Sequence, residues 1–300
     1  MTNETIFIQI ASYRDPQLVP TIKDCISNAK YPQNLRFCIC WQRDETENLD
    51  EFLHDQRFII LDYPYKLSKG VCWARNKIQQ NYNNEKYTLQ LDSHHRFIKN
   101  WDIILINMIK NLQCTGYRKP LITAYLPSFN PENDPSERVY SPWEIIFDKI
   151  TEDGSILTKP NYIKNWQNAE TNYIPAKFYS AHFTFTIGLF ALEVQHDPEL
   201  YFTGEEMNIA ARAYTHGYDL FHPNCIVAWH EYTRNNRTKQ WDDDKEWWKI
   251  DEISKLKNRI MFNLTKDKDK KSETNYFLQK YNLGNERTLD DYLRYAKLDF

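Results

Sequence analysis

What most constrains the fold is a rhythm that starts almost at the first residue. Short β-branched or aromatic runs, each ending in a polar cluster, alternate with stretches of helical periodicity. Residues 5–11 (TIFIQIA) read as a first strand that leads into Ser12-Tyr13-Arg14-Asp15-Pro16. Pro16 suits the first turn of a helix, with Asp15 as its cap. Leu18, Ile22, Cys25, Ile26 and Ala29 then recur at helical spacing. Residues 35–41 form a second strand ending in Gln42-Arg43-Asp44, and residues 58–61 a third. Residues 87–91 form a fourth, which runs out into Asp92-Ser93-His94-His95-Arg96, and residues 121–126 a fifth. Helices are expected at 70–82 and 101–112, the second capped by Asn100. This alternation predicts βαβ units and a parallel sheet. Right-handed crossovers would place the strand ends on one edge, so that residues 12–15, 42–44 and 92–95 line one crevice. Ligands of open α/β sheets collect there.

The fourth strand carries the most chemistry. Side chains alternate along a strand, so Asp92 and His94 emerge on the same side of the backbone. A carboxylate oxygen and an imidazole nitrogen so placed can hold one divalent cation. Taken alone, Asp-x-His reads first as a capped turn with solvated histidines. The strand-end address favours the metal reading. His95, on the other side of the pleat, is expected as an orienting or solvated neighbour and not as a ligand.

Beyond residue 127 the rhythm breaks. Six prolines between Pro127 and Pro175, with many Asn and Asp, mark residues 128–177 as an insertion or lid. Strand character returns at 178–187, followed by a short helix at 188–194, a helix at 205–216 stopped by Gly217, and short strands at 219–221 and 226–229. After Trp241 the chain is charged and helical, expected to pack on the core through Trp247, Trp248, Ile250 and Ile253. The division expected is therefore a catalytic domain at 1–237 and a helical extension at 238–300.

Composition excludes several classes. A net charge of −3 lacks the basic face that nucleic-acid binding needs. No apolar run is long enough for a membrane span and the N-terminus has no signal-peptide pattern, so no integral membrane segment is expected. The six cysteines contain no CxxC pair, which argues against a structural zinc site and reads as reduced thiols of a cytoplasmic protein. A nucleotidyltransferase would show a glycine-rich phosphate loop near its start, yet no glycine precedes Gly70.

The ordered set IFIQIASYRDPQLVPTI, CICWQ, GVCWARN, LQLDSHHRF, YSAHFTFTIG, FTGEEMNIAARAYTHGYDLFHP and VAWHEY resembles the bacterial and eukaryotic GlcNAc-transferase family that includes the Skp1 hydroxyproline GlcNAc-transferase. More distantly it is similar to the polypeptide GalNAc-transferases, whose metal motif is also Asp-Ser-His. The resemblance spans about residues 5–235. It implies a retaining GT-A glycosyltransferase: an α/β fold with a Rossmann-like mixed sheet flanked by helices, here with a helical C-terminal appendage. It implies Asp92, His94 and His230 as ligands of Mn²⁺ (or Mg²⁺) on the diphosphate of a UDP-sugar. Ser12, Tyr13, Arg14, Gln42, Asn76 and Ser93 would border the nucleotide, with Gln42 or Asp44 reading the uracil; Asp44 serves equally as a cap. Arg75 would contact the diphosphate or orient Asp92. Ala181 and His182 align with the segment beside the donor sugar, where His182 stands in place of an expected Gly and leaves the sugar open. Glu205 and Glu206 open a helix whose dipole favours carboxylates, and the resemblance puts one of them, Glu205 by preference, by the sugar and acceptor hydroxyl. The function implied is transfer of a sugar, GlcNAc favoured, to a hydroxyl of a protein or glycan. The alternatives are a UDP-Gal, UDP-GalNAc or UDP-Glc transferase acting on a surface polysaccharide, or an inactive carbohydrate-binding module.

Overall fold

The computed structural model describes residues 4–152, 154–233, 237–264 and 280–298. In chain order the elements are β1 (Ile6–Tyr13), α1 (Leu18–Asn28), β2 (Leu35–Arg43), β3 (Phe58–Pro64), α2 (Val71–Gln79), β4 (Tyr87–Asp92), β5 (His95–Phe97), α3 (Trp101–Cys114) and β6 (Lys119–Thr123). There follow β7 (Trp143–Ile150), β8 (Ile156–Tyr162), β9 (Tyr173–Pro175), β10 (Phe183–Ile187), α4 (Phe190–Glu193), α5 (Glu205–Thr215), β11 (Tyr218–Pro223) and β12 (Ala228–His230). The chain closes with α6 (Gln240–Asp243), α7 (Trp247–Met261) and α8 (Leu289–Ala296).

Eight strands form one sheet in the order β3-β2-β1-β4-β10-β6-β11-β9. The left half is parallel, as the alternation predicts, with Tyr13 opposite Gln42 and Ala11 opposite Asp92. The strand ends therefore share one edge. The right half departs from a parallel sheet, because β10 runs antiparallel between β4 and β6. It follows a long excursion and not a helical crossover, so nothing forces it to run with its neighbours. Strand β1 shows why helices cover both faces. Ile6, Ile8 and Ile10 pack with Leu18, Ile22, Trp101 and Leu105 of α1 and α3, while Phe7 packs with Trp73, Ala74 and Ile78 of α2. Both sets are buried, which is the pattern of a sheet sandwiched between helices.

Several local expectations need correction. Asn100 sits before α3 in the left-handed region (φ 62°) and its side chain caps nothing. Asp15 does accept the Gln17 N–H at 2.8 Å, but α1 starts later, at Leu18, and the other Asp15 oxygen turns into the cleft. The segment 128–177 contains a hairpin, β7–β8, and gives β9 to the main sheet. The tail packs on α5, yet through a different face of α7 than hydrophobicity indicates. Trp248 and Ile253 are half exposed, at 52% and 50%, whereas Asp251, Ser254, Lys257, Asn258 and Met261 form the buried stripe. Of the expected contacts Trp247 alone stacks on an aromatic, Tyr201. Cys38 and Cys40 are core residues, as their strand position predicts, and all six cysteines are free of disulfides. Among the described residues no helix is long and apolar enough to cross a membrane.

Candidate active site

The shared edge of β1, β2 and β4 opens into two adjoining cavities. One is bordered by Tyr13, Gln42, Ser93, His94, Tyr201 and Trp241, the other by Tyr125, Ala181, His182, Glu205, Glu206, His230 and Tyr232. Asp92 and Phe202 line both.

A two-stranded ladder, β5 with β12, brings the distant His230 into this junction by pairing it with His95. The nitrogens of His94 and His230 and a carboxylate oxygen of Asp92 lie within 4.8 Å of one another. The Nε2 atoms of both histidines point at Asp92 Oδ2, at 3.7 and 3.5 Å. Asp15 explains how His94 is aimed. Its Oδ2 lies 2.7 Å from His94 Nδ1 and 2.7 Å from the Ser93 hydroxyl, which donates to it. A carboxylate on one ring nitrogen fixes the tautomer and leaves the other nitrogen as a lone pair. Both ring nitrogens of His230 are buried without a hydrogen-bond partner. One oxygen and two nitrogens, with an orphaned buried imidazole among them, fit a divalent cation. His95 is outside this trio but packs against it, its ring centroid 4.9 Å from that of His230. It is fully buried and not solvated, and its Nδ1 lies 3.0 Å from the Asp92 carbonyl.

Arg75 ties the site together from below. It is buried and donates to Asp92 Oδ1 at 2.7 Å and to Glu205 Oε1. Burial would raise the Asp92 pKa, but His230, Arg75 and His94 outweigh it and hold the carboxyl well below its usual range. Glu205 is held down by the Arg75 guanidinium in the same way, against burial. Gly204, at φ +79°, turns the chain so that both glutamates enter the first turn of α5 facing the cavity wall. Glu206 has a different environment. It accepts the Tyr125 hydroxyl at 2.6 Å and the Ala181 N–H at 2.9 Å, and burial pushes its pKa up to about 7. His182 accepts the Leu126 N–H at Nε2 (3.2 Å), and burial lowers its pKa to about 3, so it is a neutral ring.

Most of the residues read from the sequence meet here, but not all. Gln42 borders the first cavity with Nε2 on the Ser12 carbonyl (3.0 Å) and Oε1 unpartnered. Ser12 is fully buried and lines neither cavity. Arg14 pairs with Asp44 and Asp243 at the rim, and Asp44 accepts the Thr46 N–H, the turn-capping role. Asn76 lies outside both cavities and donates to the His196 carbonyl at 2.8 Å. Sequence reasoning misses Arg237. Its guanidinium stands against Asp15 Oδ2 and both ring nitrogens of His94, 2.9 Å from Nε2. No local pattern joins an arginine in a loop to Asp15 and His94, which lie more than a hundred residues earlier. Tyr125 and Tyr232 escape it too, since a tyrosine at a strand end reads equally as core.

Comparison with known proteins places this geometry. The family model described as Glycosyltransferase (GlcNAc) matches residues 5–53 and 48–300. A search of curated proteins finds no match. Among solved structures the chain is similar to GalNAc-T7 with UDP, GalNAc and Mn²⁺, at a TM-score of 0.57 and 14% identity over 98% of this chain and 57% of that one. It is also similar to residues 1–349 of S. aureus TarS, at 0.51 and 9%, over 92% of this chain and 70% of that one. The chain thus spans little more than half the length of GalNAc-T7. These likenesses show the fold, the GT-A arrangement expected from the ordered motifs. With a family model matched along nearly its whole length, the chain belongs to the glycosyltransferase (GlcNAc) family.

Proposed function

We propose that this protein is a metal-dependent, retaining transferase that moves a sugar, GlcNAc favoured, from a UDP-sugar to a hydroxyl of a protein or glycan. The observation that carries the reading is the position of Asp92, which lines both cavities at the point where His94 and His230 converge. A donor laid across that junction has its nucleoside beside Tyr13, Gln42 and Ser93. Its sugar then lies beside Ala181, His182, Glu205 and Glu206. GalNAc-T7, similar in fold, holds UDP, GalNAc and Mn²⁺ in its crystal structure, which supports this donor and cation class. A bound Mn²⁺ or Mg²⁺ supplies Lewis-acid stabilisation to the departing diphosphate.

The chain's own residues prepare that step. Asp15 presents the His94 Nε2 lone pair, and Arg75 holds Asp92 ionised with Oδ2 turned to the histidines. Glu205 is engaged by Arg75 and Glu206 by Tyr125 and Ala181, so neither is a free nucleophile of the kind double displacement requires. Retention therefore favours front-face attack, in which the leaving diphosphate helps to accept the proton of the acceptor hydroxyl and the two glutamates stabilise positive charge at the sugar. The catalytic domain proposed is 1–237, with the β7–β8 hairpin framing the sugar and acceptor side and the start of the 238–300 extension closing the nucleoside side through Trp241.

The test is UDP release from UDP-GlcNAc with Mn²⁺. EDTA, Asp92→Ala and His230→Ala should each abolish turnover. If all three leave it intact, the metal assignment is wrong; if UDP-GalNAc or UDP-Glc is turned over and UDP-GlcNAc is not, the donor assignment is wrong.

A further inference from the structure

Arg75 also links the cleft to a second group of ligating side chains. Cys72 from α2, His196 from the loop before α5, and Glu205 are all buried, and their ligating atoms lie within 4.8 Å of one another. The hydrogen bonds around His196 leave this group incomplete. The Gln90 amide nitrogen donates to the Ala181 carbonyl at 2.7 Å and to the Tyr179 hydroxyl at 3.1 Å, which fixes the amide orientation. Gln90 Oε1 is therefore the atom that faces His196 Nε2 at 2.8 Å, and Nε2 must carry the hydrogen. In a neutral imidazole the remaining nitrogen, Nδ1, is then a bare lone pair. It lies 3.0 Å from Glu205 Oε1, in ion-pair range but without a hydrogen bond. Two acceptors facing each other in a dry interior repel unless a proton or a cation lies between them, and Arg75, which sits on the same Glu205 oxygen, makes no bond to the ring nitrogen.

The ring is held in this posture. The His196 N–H donates to Gln79 Oε1 and its carbonyl accepts from Asn76, both at 2.8 Å, so the loop is pinned to α2. The adjacent thiol of Cys72 makes the donor set one sulfur, one nitrogen and one oxygen, which selects for a soft or borderline divalent ion over Mg²⁺ or Mn²⁺. Arg75 on the Glu205 carboxylate is the outer partner that orients a carboxylate ligand.

We propose that Cys72, His196 and Glu205 bind a thiophilic divalent cation, Zn²⁺ by preference, at a site separate from Asp92, His94 and His230. Binding forms a metal–thiolate bond and releases the Cys72 proton to solvent. The inference does not depend on the transferase reading, since the donor set stands whatever the cleft binds. It also lies outside what cysteine spacing can reveal, because the three ligands are scattered from 72 to 205.

The experiment uses Co²⁺ as a probe on the metal-stripped full chain. Only a site containing a thiolate gives a near-ultraviolet thiolate-to-cobalt charge-transfer band, so the Asp92 site is silent. The band should appear with the first equivalents of Co²⁺, be displaced by Zn²⁺, persist in His230→Ala, and vanish in Cys72→Ser and in His196→Asn. Near-ultraviolet circular dichroism checks that both variants are folded, and the wild-type titration decides even if one is not. The proposal is overturned if wild type shows no band or if the band survives Cys72→Ser. It is equally overturned if ¹⁵N spectra with excess Zn²⁺ show both His196 nitrogens protonated, which would put a proton and not a metal between the ring and Glu205.

Discussion

Replacing Glu206 by Gln tests how the cavity wall treats an acid set into it. In the folded protein burial is the largest influence on this carboxyl and Glu205 adds to it, while the bonds from Tyr125 and Ala181 oppose them; the balance raises the pKa from 4.5 to about 7. The sign follows from proton linkage. Between these two pH values the folded protein holds a proton that the unfolded chain has already released, so stability falls as pH rises through this window. Above pH 7 the penalty is constant at about 3 kcal/mol, from about 1.4 kcal/mol per unit of pKa. The amide of E206Q cannot titrate. Its oxygen can keep the Ala181 N–H, and the Tyr125 hydroxyl can turn its hydrogen to Thr158 Oγ1, 2.8 Å away. The substitution therefore has a pH-independent offset and abolishes the pH-dependent part. Urea unfolding followed by tryptophan fluorescence should show E206Q gaining about 2–3 kcal/mol on wild type between about pH 5 and pH 8. A stability gap that stays constant across that range would refute the reasoning, and with it the raised pKa.

Arg75→Gln leaves Asp92 and Glu205 without their shared buried cation, and should cost about 3–5 kcal/mol in chemical denaturation. Arg237→Ala removes the guanidinium that stands against the lone pair of His94. Mn²⁺ affinity measured by calorimetry should rise about tenfold, as about 1.4 kcal/mol of competing contact is lost. Lys257→Ala strands Asp197, its buried partner at 2.8 Å, and should lower stability by about 3–5 kcal/mol with the loss visible in thermal melting.

What is legible in the sequence is whatever depends on local period. The alternation of β1, α1, β2 and β4 can be read because each element buries a whole face or both faces, and Asp92 and His94 because a strand end fixes their direction. The order of motifs carries His230, which no local pattern could join to them. Illegible are the features decided by long-range partners. Strand β10 reverses direction after an excursion whose length says nothing about polarity. The docking face of α7 misleads because its buried stripe is polar: Asp251 accepts from the Thr203 N–H and hydroxyl, Ser254 accepts the Tyr201 N–H, and Lys257 pairs with Asp197 and Glu199. Hydrophobic periodicity ranks such residues as solvent-facing, and so favours Trp248 and Ile253 over them. Arg237 escapes for the same reason, being defined wholly by Asp15 and His94.

The β5–β12 ladder has a kinetic consequence. It is the joint that seats His230 next to residues encoded 136 positions earlier, the difference between 230 and 94. Closing a flexible loop of that length costs about 4 kcal/mol of chain entropy, which must be met before any contact across it is made. The ladder is only three residue pairs long, so it is too short to form ahead of the sheet that supports it. The trio at the junction is thus a clock for folding. In a refolding experiment the main sheet should recover its far-ultraviolet signal first, and cation capture by Asp92, His94 and His230 should follow in the last phase. On a ribosome, no nascent chain that stops short of residue 230 should be able to assemble the trio at all.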